Sequence, residues 1–266
     1  MDNNKLKNYN TKSEEWFKIM YNKKIEDLHA DNKKIGSVLN YLDYNSFFNK
    51  YKTSIGKRYI KLNIYDLGFN IFYGESFKKS IFYKIIKEID ENFDNKDYSY
   101  KDSLLYQELK ENKVTTLSEY FKLDEHNNLE KYSKFYDFLP WDKKFKLTAN
   151  KLCGPVSDNL INMHFIKFKR TLEGIKNFGI KYNEKNMISG YILKNNNYKK
   201  LVVTSGIHRT ITIKYLFEIN ELNTKNIICE KTHEINLSDV NEWIHVKNGY
   251  ISKENAIKIF NHLYNI

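Results

Sequence analysis

Ser205-Gly206-Ile207-His208-Arg209-Thr210 is the stretch of this 266-residue chain whose residue types and spacing are best suited to chemistry. It follows the apolar run YKKLVVTS at 198–205 and leads into HRTITIKYLFEI, so the pattern predicts a strand that passes through a glycine directly into a helix. The first amides of a helix lack intrahelical acceptors, and the macrodipole adds partial positive charge there, so a phosphate can sit at such a turn. Gly206 permits a left-handed backbone angle and close approach of a ligand. Arg209 offers a two-pronged contact, and His208 either donates to a phosphate oxygen or moves a proton near neutral pH. Ser205 and Thr210 complete the expected phosphate-binding set. The plain alternative is a strand-to-helix turn whose His and Arg face solvent.

Arginine is scarce. Of 44 basic residues only Arg58, Arg170 and Arg209 are Arg, and a chain that uses Lys elsewhere keeps Arg where a planar fork is needed. A second candidate is CGPVSDN at 153–159, where a Gly-Pro turn opens a helix and offers Ser157 and main-chain N–H groups near Gly154. An ordinary N-cap explains the same letters. Arg170, in the helix that follows, suits a phosphate contact or a structural ion pair equally. Phosphoryl transfer also needs a carboxylate near the acceptor hydroxyl; Asp158 and Glu173 are the candidates, with Glu184 behind them. Trp243, Tyr250 and His245 offer stacking for an acceptor, although packing of Trp243 on the last helix is the simpler account.

These groups need a scaffold. Ser157 or Asp158 caps an expected helix over about 160–177, and Gly179 in NFGI closes it. MISGYILK at 187–194 pairs with 198–205 as a hairpin, and NIICEKT at 226–232 reads as a further strand. Upstream, helices are expected over 13–29, 79–89, 102–111 and 116–123, with one strand at 57–66. Both prolines lie within 138–157, which makes that tract the expected boundary between a helix-rich region, 1–140, and a C-terminal domain, 141–266. The fold class is α+β, or mixed α/β.

Composition narrows the function. Aromatic residues at 15% and hydrophobic residues at 41% supply a core and exclude a disordered chain. No window reaches the roughly 18 apolar residues of a membrane span, and MDNNKLKNYN lacks the apolar core of a secretory signal, so a cytoplasmic chain is expected. Cys153 and Cys229 form neither a disulfide framework nor a zinc spacing. The net charge of +11 favours anionic partners, but the lysines are scattered rather than blocked, so nucleic acid ranks below nucleotides and phosphate-bearing metabolites.

VVTSGIHRTITIKYL, with RTLEGIKNFGI and ISGYIL before it, resembles the core of the ParB/sulfiredoxin superfamily over about 155–232. There a helix, a glycine turn and a strand lead into a strand ending G-x-H-R or G-x-R-R. The resemblance implies nucleotide phosphates at Gly206, His208 and Arg209, and a second pocket wall from the 153–159 turn. It implies ATP or CTP, with Mg²⁺, as cofactors. Sulfiredoxin-like members carry a catalytic Cys where this chain has Ile207, which excludes repair of sulfinic acids. Partition proteins continue into a helix-turn-helix, and no recognition-helix pair is expected within NEWIHVKNGYISKENAIKIFNHLYNI. The CGPVS, GIHR and W-x-x-V-x-x-G stretches are also similar to uncharacterised proteins of bacterial surface-polysaccharide gene clusters. The resulting expectation is a nucleotide-dependent phosphotransferase acting on a small hydroxylated metabolite or a surface-glycan sugar, with His208 among its catalytic residues. A ParB-like, nucleotide-gated DNA-binding module without small-molecule chemistry is the rival.

Overall fold

The computed structural model describes residues 44–56, 58–69, 77–111, 139–142, 156–184, 187–196 and 198–265. The expected helices at 13–29 and 116–123 lie outside the described residues. In chain order the described elements begin with α1 (Tyr44–Lys50), β1 (Tyr59–Asn63), β2 (Leu67–Phe69), α2 (Ile81–Glu91) and α3 (Leu104–Glu111). After them come α4 (Asp158–Phe178), β3 (Ser189–Asn195), β4 (Tyr198–Ser205), α5 (Ile207–Glu218), β5 (Asn226–Asn236), the short α6 (Ile244–Lys247) and α7 (Lys253–Asn265).

The strands form one five-stranded sheet in the order β1-β5-β3-β4-β2. β1 and β5 are antiparallel, β5 and β3 parallel, β3 and β4 antiparallel, and β4 and β2 parallel, so the fold is α+β with a mixed sheet. The hairpin is formed as expected from its two apolar runs, with Tyr191 opposite Val202 and Ile192 opposite Leu201. Both faces of this hairpin are covered, which explains the unbroken apolar runs YIL and LVV. Ile192, Leu201 and Val203 face a core shared with α2, α3, α4 and α5. Tyr191, Leu193 and Val202 face Trp141, Trp243, Ile259 and Phe260 on the other side. Trp243 packs on Phe260 of α7, their rings 5.7 Å apart and near parallel.

The expected boundary near 140 falls inside this sheet-centred unit. Strands β1 and β2 come from the first 140 residues, yet β1 pairs with β5 and β2 with β4, and residues 42–266 form one compact unit. The 226–232 strand also runs further than its sequence suggests, to Asn236, because its second half pairs with β3 from Ile192 to Lys194. Among the described residues no helix is long and apolar enough to cross a membrane.

Local chemistry sets the helices around the sheet. Ser80 begins α2 by accepting a hydrogen bond from the Tyr83 amide at 3.2 Å, a cap whose removal costs about 1 kcal/mol. Ile85, Ile86 and Ile89 then recur on its buried face. Helix α5 is different: Thr210 through Leu216 are all buried, as suits a helix enclosed on every side. Its polar groups are satisfied within the helix or by neighbouring elements. Thr210 Oγ1 donates to Gly206 O at 3.1 Å, Thr212 Oγ1 to His208 O at 2.9 Å, and Lys214 Nζ to Leu67 O at 2.7 Å. Tyr215 donates to Asp90 at 2.9 Å and fastens α5 to α2.

Candidate active site

Where β4 hands over to α5, Gly206 adopts φ +82°, ψ 25°, the left-handed conformation its sequence position predicts. A Cβ there would also stand 3.1 Å from Ile188 Cα. Thr210 is the first residue of α5 whose amide reaches an intrahelical acceptor, Gly206 O at 2.9 Å. The amides of Ile207 and His208 lie ahead of it, and Gly206 at the N-cap makes no side-chain cap to them.

That uncapped helix start opens on a cavity of about 310 Å³. Thr204, Ser205, Gly206, Ile207 and His208 form its floor. Ile81, Phe82 and Ile85 of α2, Leu105, Glu108 and Leu109 of α3, and His164 and Phe168 of α4 form its walls. The size lies at the lower end of small-molecule sites, and the mixture of apolar walls with a few convergent polar groups is what such sites show. Among the described lining residues Glu108 contributes the sole carboxylate, and no Lys or Arg lines the space. The polar character of this space thus comes from main-chain dipoles and neutral side chains with Glu108, and not from side-chain cations.

His208 does not act alone. Its Nε2 lies 2.8 Å from His164 Nδ1, and the ring planes differ by only 18°. The 5.0 Å between ring centres is about what two imidazole radii and that nitrogen–nitrogen distance make together, so the rings meet end to end rather than face to face. Phe168 braces the pair, its ring edge-on to His208 at 4.6 Å. Burial, helped by His164 and Lys167, pushes His208 down to about 3, and burial with Lys167 pushes His164 down to about 4. Both rings are neutral at physiological pH. A proton shuttle near neutrality, one role expected of His208, therefore does not fit; a neutral hydrogen-bonding role does.

The other expected residues divide. Ser205 and Gly206 line the cavity with His208. Arg209 does not: one residue further around the helix, it borders a separate recess of about 10 Å³ with Tyr182, Ile188 and Ile228. The buried Cys229 thiol, pushed up by burial, feels the Arg209 charge there. Thr210 is buried within α5, its hydroxyl committed to Gly206 O. Ser157 precedes α4 but is exposed and makes no side-chain cap. Gly154 lies outside the described residues. Asp158 pairs with Lys110 at 2.5 Å, and Lys110 holds its carboxyl below the usual range. Glu173 and Arg170 are exposed further along α4, and none of these last three lines the cavity.

Sequence reasoning missed Glu108 and His164. Among the described residues no cluster of three His, Cys, Asp or Glu is arranged to hold a metal ion. A preassembled Mg²⁺ cage thus does not fit these side chains. No known family model, curated protein or solved structure gives a significant match to this chain.

Proposed function

We propose that this chain binds a nucleotide phosphate, of ATP or CTP, at the start of α5 and transfers a phosphoryl group to a small hydroxylated metabolite or a surface-glycan sugar. The observation that carries the reading is the uncapped α5 start, with left-handed Gly206 beneath it, opening onto a cavity beside the Ser205 hydroxyl. Phosphate oxygens accept from the Ile207 and His208 amides, and the neutral His208 ring adds a donor. Further support comes from the order of elements. Helix α4, the β3–β4 hairpin, Gly206, α5 and β5 follow one another as the ParB/sulfiredoxin resemblance implies.

The arrangement moves the catalytic assignment. Glu108 faces the cavity, whereas Asp158 is engaged with Lys110 and Glu173 lies on the exposed side of α4. Glu108 is thus the carboxylate that accepts the proton of an acceptor hydroxyl. Mg²⁺ usually binds through substrate phosphates and water with few protein ligands.

The test is transfer of radiolabel from the γ-phosphate of ATP, and separately of CTP, to a panel of sugars and small alcohols. Wild type is expected to label at least one class and Glu108→Gln to lose about two orders of magnitude or more. Nucleotide binding without labelling of any acceptor would remove the transferase reading and leave a binding protein. Absence of nucleotide binding would remove both.

A further inference from the structure

The paired imidazoles carry an inference that rests on the cavity as the ligand site but is tested apart from it. In the 2.8 Å contact one ring nitrogen donates and the other accepts. His164 Nε2, the far end of the pair, is buried without a partner among the described residues. If His208 Nε2–H donated, the neutral His164 ring would carry its proton on that Nε2, leaving a buried N–H with nothing to receive it. If His164 Nδ1–H donates instead, the orphan is only a lone pair. Buried donors without acceptors are rarer and costlier than underused acceptors, so the second arrangement is favoured.

We propose that His164 is a positioning residue that fixes His208 as the Nδ1–H tautomer, so that His208 meets its ligand as a neutral donor with a set direction. The geometry closes the alternatives. His208 Nε2 is occupied by His164, so Nδ1 is the ring nitrogen left for a ligand in the cavity that His208 lines. Phe168 and the end-to-end alignment hold the ring from turning over. The nearby charges are Glu108 on α3 and Lys167 on α4; the latter disfavours an imidazolium at either ring. A histidine at a phosphate site commonly binds as a cation. This one instead adds an N–H to the amides of α5 with no net charge and no proton uptake.

Histidine ring nitrogen NMR at neutral pH tests the dyad without any ligand. His208 is expected to be protonated at Nδ1 and bare at Nε2, and His164 protonated at Nδ1, unchanged between about pH 6 and 8. His164→Asn, whose amide N–H stands near the former Nδ1–H, should preserve that signature and the affinity for inorganic phosphate. His164→Phe should release His208 to a mixture of tautomers and weaken phosphate binding about tenfold, the worth of one hydrogen bond. A wild-type His208 protonated at Nε2 overturns the proposal, as does an unchanged tautomer or an unchanged phosphate affinity in His164→Phe. Should wild type bind no phosphate while its ring signals are as expected, the site reading fails and the tautomer assignment stands. Should His164→Phe not fold, the wild-type and His164→Asn signals still decide the tautomer.

Discussion

His164 Nδ1 and His208 Nε2, 44 residues apart in sequence, meet at 2.8 Å beside the start of α5. The contact joins α4 to the strand-glycine-helix turn and places two neutral rings there. It has a direct consequence for stability.

Both rings are held below the ordinary histidine value of 6.5, to about 3 for His208 and about 4 for His164. The unfolded chain therefore takes up protons below about pH 6.5 that the folded chain refuses, and stability falls as pH drops from 6.5 toward 4. By pH 5 the loss is roughly 2 kcal/mol per ring. Urea unfolding at pH 7 and pH 5 should show a steep loss in wild type and a shallower one in His164→Phe/His208→Phe. Equal slopes would contradict the burial of the pair.

Gly206 and Gly190 should differ in how badly they tolerate a methyl group. At Gly206, alanine meets a left-handed backbone, which costs roughly 1–2 kcal/mol, and a 3.1 Å approach to Ile188 that a small shift relieves. At Gly190 the new Cβ would stand 1.9 Å from the Val202 carbonyl oxygen, within the β3–β4 pairing itself. Gly206→Ala is thus expected to fold with a lowered denaturation midpoint and Gly190→Ala to fail to fold. Comparable stability of the two would show that the hairpin is not paired this way.

Lys214 is buried on α5 and donates to Leu67 O; burial, then Lys200, pushes it down to about 8 from 10.5. Between those values the unfolded chain holds a proton the folded chain has released, so this group makes stability rise with pH from 8 toward 10.5. Lys214→Met should reduce the gain between pH 8 and pH 10 by roughly 2 kcal/mol. If both proteins respond alike, Lys214 is not titrating in this window.

The turn and its neighbours were legible because their signals are local. Two short apolar runs about a turn mark the hairpin, Gly206 marks the break, and a helix pattern follows at once. The sheet's edges were not, since β1 pairs with β5 and β2 with β4 across more than half the chain. Some misses had usable signals. His164 lies three residues after Ile161 and four before Phe168, on the face of α4 that those buried residues define. Glu108 likewise sits beside Leu105 and Leu109 on α3. Arg209 could have been separated from His208 by arithmetic, because adjacent helical residues diverge by about 100° and two such neighbours rarely face one ligand.

Arg209→Ala is accordingly expected to leave nucleotide affinity within about twofold of wild type, since Arg209 borders the small recess beside Tyr182 and Ile228 instead of the cavity. A loss of tenfold or more in calorimetric titration, with unfolding unchanged, would place the guanidinium at the ligand after all.

Calorimetric titration of wild type and Ser205→Asp with ATP, CTP and inorganic phosphate tests the central claim most directly. Ser205 is exposed at the helix start, where an acidic side chain favours the fold by about 0.3–1 kcal/mol while repelling an anion. The account expects wild type to bind at least one of the three, and Ser205→Asp to bind at least tenfold more weakly with thermal stability equal or higher. Equal affinity in the two proteins, or no binding of any of the three by wild type, would contradict it.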